Sequence, residues 1–323
     1  MKEINKVLVR TYSMLGAART FGQALIDLAQ DNDAIVAVTA DQRSAGRLEY
    51  FEQKYPGRLF NVGIAEQNLI NVAAGMANEG LIPYTLAQAC FSTARCFDQF
   101  KISLGYMNLN VKVVGFGAGL SLGQYSATHM SVEDISLVRN LPNVTILSPA
   151  DCLEAYKAVV AAVDIKGPVY IRLTGEMGNP IVYDSDYNYQ IGKAITLKEG
   201  SDISIIATGS MVYNSLKAAE MLEEKGLSVK VIDMHTIKPI DKDAVNNCFS
   251  SKLIVTVEEH SKIGGLGSAV QELFAMSTTK PAHLILGCDN YYPVPGEYKY
   301  LVDLFGLSPE KITTQIATCY DEL

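Results

Sequence analysis

Short runs of β-branched and apolar residues recur along this chain, each separated from the next by a longer stretch whose apolar residues repeat every three or four positions. The run at 34–38 follows a helical period over 15–29, and a loop rich in Arg, Gly and Glu occupies 41–58. A helix is predicted over 66–78 and a strand over 81–85, then strands at 111–114, 144–147 and 169–172 with helices near 92–104, 132–139 and 151–163 between them. Strands joined by helices run parallel and are covered on both faces, because each crossover helix must return the chain to the same end of the sheet. Both periods fade between 174 and 198, in GEMGNP and YDSDYNYQ, which is turn and linker chemistry. The alternation then restarts, with strands at 203–206, 229–232, 253–257 and 283–286 and helices near 213–225, 241–248 and 266–275. The expectation is two successive α/β domains, each with a mostly parallel sheet flanked by helices: 1–175, a linker over 176–198, and 199–323.

The 323 residues are 48% apolar, enough for a core in each of two domains of about 150 residues. Twenty-seven Lys and Arg against 35 Asp and Glu leave a net charge of −8 with no basic block. That balance argues against nucleic acid or an anionic membrane as partner, since both need a positive field. The opening MKEINKVLVRTYSMLG lacks the apolar core of a signal peptide, and no apolar run reaches the roughly 18 residues that span a bilayer. The six cysteines are scattered without CxxC or zinc spacing, so reduced thiols in a cytoplasmic protein are expected.

Three segments carry candidate chemistry. Phosphate loops are absent in standard form: there is no GxxxxGK[ST], and GFGAGLSLG (115–123) misses GxGxxG because Leu120 stands at the third glycine. Gly264-Gly265-Leu266-Gly267 can present backbone N–H groups at a helix start, or can simply make a tight strand-to-helix turn. Glu66 opens a nearly all-apolar helix in GIAEQNLINVAAGMA. A carboxylate there is favoured by the helix dipole alone, and one enclosed by apolar neighbours also becomes a usable proton donor and acceptor. His129 lies in the loop SLGQYSATHMSVED after the strand at 111–114, at the strand end where ligands of open parallel sheets collect. His235, His260 and His283 are expected to be structural.

These segments carry a family resemblance. FNVGIAEQNLINVAAGMA, RCFDQ, THMSVEDISLVRNLPNVTILSPAD and VYIRL resemble the pyrimidine-binding domain of transketolases. ATGSMVYNSLKAAEMLEEKGLSVKVIDMHTIKPID and VEEHSKIGGLGSAVQE are similar to the transketolase C-terminal domain, in order along nearly the whole chain. The likeness is greatest to split transketolases, in which this half is a separate polypeptide. It implies a transferase that moves a two-carbon ketol unit with thiamine diphosphate. Glu66 would hydrogen-bond N1′ of the aminopyrimidine, favouring the tautomer whose nitrogen takes the thiazolium C2 proton. Phe91 would stack on the pyrimidine and Arg95 would assist in holding it. His129, Tyr125 and Arg172 would meet substrate. The family's GDG…Asn motif for diphosphate and Mg²⁺ or Ca²⁺ is absent, so an N-terminal transketolase subunit is the expected partner, in an α2β2 heterotetramer. Two departures bear on substrate: Tyr125 stands where an acidic residue reads a sugar hydroxyl, and Gly175 where an Arg grips a sugar phosphate. Gln88 replaces a second Phe. These point to a specialised biosynthetic ketol transfer. The alternatives are a 2-oxoacid dehydrogenase β-type subunit passing an acyl group to a lipoyl arm, and a catalytically silent scaffold.

Overall fold

The computed structural model describes residues 4–175, 177–275, 277–278 and 280–323. Among the described residues twelve strands form two sheets. β1 (Ile35–Thr39), β2 (Leu59–Asn61), β3 (Ile82–Gln88), β4 (Lys112–Phe116), β5 (Thr145–Leu147) and β6 (Val169–Leu173) come from the first half of the chain. β7 (Ile195–Lys198), β8 (Ile203–Ala207), β9 (Val229–Asp233), β10 (Thr236–Lys238), β11 (Leu253–Ser261) and β12 (Ala282–Cys288) follow. β1 and β6 are buried at every residue, as strands covered on both faces must be.

The first sheet runs β10-β5-β6-β4-β3-β1-β2 and the second β12-β11-β8-β9-β7. All pairings are parallel except β10 on β5 and β7 on β9. β10 was not anticipated: three residues from the second half add to the edge of the first sheet, Thr236 opposite Leu147 and Lys238 opposite Ile146. The Lys238 ammonium donates to the Arg139 carbonyl at 3.0 Å, and to that of Leu141. A three-residue strand carries too little period to announce itself. β7 likewise lies inside the expected linker, where four residues of half-buried edge strand hydrogen-bond to β9.

The helical period over 15–29 forms one helix, Ala17–Leu28, and a further helix, Lys6–Leu15, precedes it, parted from it at Gly16 with φ 81° and ψ 163°. Helix Leu48–Lys54 occupies part of the expected 41–58 loop. Helices Tyr298–Leu304 and Pro309–Asp321 close the chain. The apolar interior is shared between the halves: Met234, Ile237 and Val245 pack in one cluster with Ile146, Val138 and Leu141, and Val9, Leu120 and Met130 join Ile205 and Val255 in another. Among the described residues no helix is long and apolar enough to cross a membrane.

Candidate active site

Three neighbouring chain segments, each leaving the carboxyl end of a first-sheet strand, build one cluster. After β2 the chain enters helix Glu66–Asn78, whose first residue is Glu66. After β3 it winds through wide π turns, Phe91–Arg95 and Phe100–Tyr106. After β4 it makes a 3₁₀ stretch, Gly123–Thr128, ahead of His129. The carboxyl ends of parallel strands, where these loops converge, are where an open α/β sheet presents its functional groups.

Glu66 is only 4% exposed. Arg95 Nη1 donates to its Oε2 at 2.9 Å, and the Arg95 guanidinium also lies 3.7 Å from the centre of the Phe91 ring. Phe91 meets His129 edge-on at 5.2 Å between centroids, and the His129 and Tyr125 rings stand 4.7 Å apart. Glu66, Arg95, Phe91, His129 and Tyr125 therefore form one unbroken chain of contacts. The Thr128 hydroxyl donates its single proton to the Tyr125 carbonyl at 2.7 Å, so at its 2.8 Å contact with His129 Nδ1 it must accept. This network assigns a proton to Nδ1, so that Nε2 is the acceptor in the neutral ring.

An aminopyrimidine fits these residues. Glu66 Oε1 accepts no hydrogen bond among the described residues, and an aromatic ring stands beside it. Arg95 covers that ring now, and its side chain is 40% exposed, so the guanidinium can swing aside while the buried carboxyl stays. Among the described residues no group of three or more His, Cys, Asp or Glu has metal-holding geometry.

Arg172 is not brought to this cluster. It is 1% exposed; its Nε donates to Asp134 Oδ2 at 2.7 Å and its Nη2 to the carbonyls of Glu259 and Ser131 at 2.8 and 3.3 Å. Tyr170, two residues earlier on the same face of β6, donates to the same Asp134 oxygen at 2.7 Å. Arg172, through the Glu259 carbonyl, ties β6 to the second half of the chain.

Gly175 has φ 79°, and a Cβ there would stand 2.4 Å from Asn179 Oδ1, so a side chain at this position would strain the backbone and displace Asn179. It lines a cavity of about 260 Å³ together with Ser121, Leu122, Thr174 and Arg19. The reading of the sequence missed Arg19, which lies on an exposed helix face and makes no ion pair among the described residues. Its only local signal is a lone cation just after the Gly16 break.

The Gly264–Gly267 turn holds no room for an external anion. Glu258 already accepts from the N–H groups of Leu266 and Gly267 at 2.7 and 2.8 Å, and burial pushes its carboxyl up to about 7. Burial pushes the imidazoles of His235, His260 and His283 down to about 4, leaving them neutral packing groups. The six cysteines are all unbridged. Burial pushes the thiols of Cys90, Cys96 and Cys152 up to about 12.

Comparison with known proteins converges on one family. Residues 14–179 match the transketolase pyrimidine-binding domain and residues 192–312 the transketolase C-terminal domain. A 6-deoxy-6-sulfo-D-fructose transketolase subunit of Clostridium sp. is 39% identical over 91% of both chains. An apulose-4-phosphate transketolase subunit of Phocaeicola vulgatus is 37% identical over 93% of this chain and 96% of its own. A solved structure described as a split gene transketolase, inactive beta4 tetramer, superimposes with a TM-score of 0.85 at 37% identity, covering 94% of this chain and 98% of the other. The chain belongs to the transketolase family, as the polypeptide that carries the pyrimidine-binding and C-terminal domains in split transketolases.

Proposed function

We propose that this chain supplies half of the active site of a thiamine diphosphate-dependent ketol transferase in a specialised pathway, and that a partner chain bearing the GDG…Asn motif supplies the diphosphate and Mg²⁺ or Ca²⁺ half. The observation that carries the reading is the contact chain Glu66–Arg95–Phe91–His129–Tyr125 at the carboxyl ends of the first-sheet strands. The cofactor, when bound, supplies the nucleophilic carbon and electron sink that ketol transfer requires. Glu66 holds a proton at the pyrimidine N1′, Phe91 packs on the ring, and Arg95 moves from the Phe91 face to the rim. His129 Nε2 accepts from a substrate hydroxyl, and Tyr125 narrows the acceptor pocket. Residues 1–175 serve as the pyrimidine-binding domain, 176–198 as the linker and 199–323 as the C-terminal domain. Two copies of each chain assemble as an α2β2 tetramer with twofold symmetry. Six unbridged cysteines suit a reducing compartment such as the cytoplasm.

The substrate pair differs from the common pentose phosphates. Tyr125 replaces a carboxylate with a bulkier phenol, and Gly175 offers neither charge nor reach. Arg19, which lines the same cavity as Gly175, provides one guanidinium for an anionic sugar terminus. The relatives named above act on a sulfonated and a phosphorylated sugar, both anionic.

The test is reconstitution. The isolated chain should neither hold thiamine diphosphate with Mg²⁺ nor turn over ketose, and should do both once mixed with its GDG-bearing partner. Tight cofactor binding by the isolated chain refutes the shared site. The complex is then assayed with xylulose 5-phosphate as donor and ribose 5-phosphate as acceptor. An efficiency of about 10⁴ M⁻¹s⁻¹ or more, ordinary for an enzyme on its own substrate, refutes the specialised reading.

A further inference from the structure

The loop that carries Tyr125 and His129 is gripped from the second domain at both of its stems. At the first stem the Leu120 N–H donates to Glu259 Oε1 at 2.6 Å. Gly119 beside it has φ 67°, and a Cβ there would stand 2.3 Å from that same oxygen, so the carboxylate sits directly against loop backbone. The other oxygen of Glu259 accepts from the Tyr298 hydroxyl at 2.7 Å and from the Ser210 hydroxyl. Glu259 is 1% exposed, and three donors converging on a buried carboxylate make a stiff node.

At the second stem the Ser261 N–H donates to the Val132 carbonyl at 2.7 Å, and between the stems the Gly296 N–H donates to the Gly123 carbonyl at 3.1 Å. Ser126 Oγ donates to the Pro293 carbonyl at 2.6 Å. A Cβ on Gly123 would stand 2.0 Å from Leu301 Cδ1, so helix Tyr298–Leu304 packs straight onto loop backbone. Ser126 itself has φ 50° and ψ −144°, a conformation that L-residues avoid. Such a backbone persists only when its surroundings over-determine it; here the Ser126 carbonyl accepts from the N–H groups of His129 and Met130 at 3.1 and 3.0 Å while its hydroxyl is anchored on Pro293 of the second domain. Tyr298 joins the grips at the first stem and the middle, since its hydroxyl reaches Glu259 while its helix presses on Gly123.

We propose that the second domain is the positioning element of the substrate site: Glu259 and Tyr298 at the first stem, the segment 293–296 at the middle and Ser261 at the second stem hold the loop and so set where Tyr125 and His129 meet an acceptor. Acceptor selection is then written partly in residues that never touch substrate. Ser126, Glu259 and Tyr298 are positioning residues, and this assignment rests on the ketol-transfer reading of the site.

The test uses Ser126→Ala, Tyr298→Phe and the pair together, each assembled with the partner chain. Three measurements are made: amide hydrogen exchange over 119–131, C2–H exchange of bound thiamine diphosphate, and transfer from hydroxypyruvate to glycolaldehyde or ribose 5-phosphate. Each variant removes one hydrogen bond, so loop amides should exchange about tenfold faster and the acceptor KM should rise about tenfold, more in the pair. C2–H exchange should not change. A merely structural role would lower the amount of active complex and leave KM alone. Unchanged loop protection in the double variant overturns the proposal, as does lost protection with an unchanged acceptor KM. If the wild-type complex neither holds thiamine diphosphate nor exchanges its C2–H, the functional reading fails instead, and loop protection still decides whether the second domain holds the loop.

Discussion

Arg172→Met separates the two roles that an arginine at the end of β6 can have. The substitution keeps an unbranched stem of similar reach and removes the guanidinium. In the structure this leaves Asp134, 0% exposed, without the Nε donor at 2.7 Å, and takes the Nη2 donor from the carbonyls of Ser131 and Glu259. Breaking one partner of a buried ion pair costs about 3–5 kcal/mol, because the remaining charge stays desolvated. At a urea slope of about 3 kcal/mol/M for a chain of this size, the unfolding midpoint falls by roughly 1–1.7 M. Asp134→Asn combined with Arg172→Met removes both charges, and the amide oxygen still accepts from the Tyr170 hydroxyl. The double variant should recover most of the loss, to within about 1–2 kcal/mol of wild type. The assay is equilibrium urea unfolding of the isolated chain, followed by far-ultraviolet circular dichroism. A midpoint unchanged in Arg172→Met, together with a raised KM for an anionic substrate in the complex, would refute the reasoning and return Arg172 to the substrate pocket.

Glu66→Gln should preserve the fold and the complex while slowing C2–H exchange of the bound cofactor by about 10²–10⁴, the range for a lost acid/base group; His129→Ala should spare that exchange and depress ketose turnover. Normal exchange in the Gln variant, followed by NMR in D₂O, would leave Glu66 only its helix-dipole role. Arg19→Ala should raise KM for a phosphorylated or sulfonated substrate by about 10–100-fold, one charge-assisted hydrogen bond, and leave an uncharged acceptor unaffected; equal effects on both would remove Arg19 from the anion site. Burial raises the Glu258 carboxyl from its ordinary 4.5 to about 7, so the unfolded chain releases this proton first and the stabilisation present below about 4.5 is lost as pH rises through 7. Relative to wild type, Glu258→Gln should therefore gain about 3 kcal/mol between pH 4.5 and 7.5 in urea titrations, and a difference flat with pH would contradict the buried-acid assignment.

Much of this molecule was legible in local sequence. Strand and helix periods are properties of short windows, so the alternation and the two parallel sheets followed from burial periodicity alone. Glu66 at the start of an apolar helix and His129 after a strand were visible for the same reason, and parallel topology then brought them to the carboxyl ends of the strands. What the tertiary structure decided involves partners distant in the chain. Arg172 carries the same alternating signal as any buried strand residue, and only its contact with Glu259, 87 positions away, makes it a tie between domains. β10 joins the other half's sheet because β5 left an edge open, which no period within 236–238 records. Arg19 and Gly175 line one cavity from opposite ends of the first domain's sequence. Leu120 meets Glu259 across 139 positions, so the grip on the substrate loop exists only after both domains have folded. A sequence window reports which face of an element is buried; the surface that buries it, and the charge waiting there, are set by chain closure over long distances.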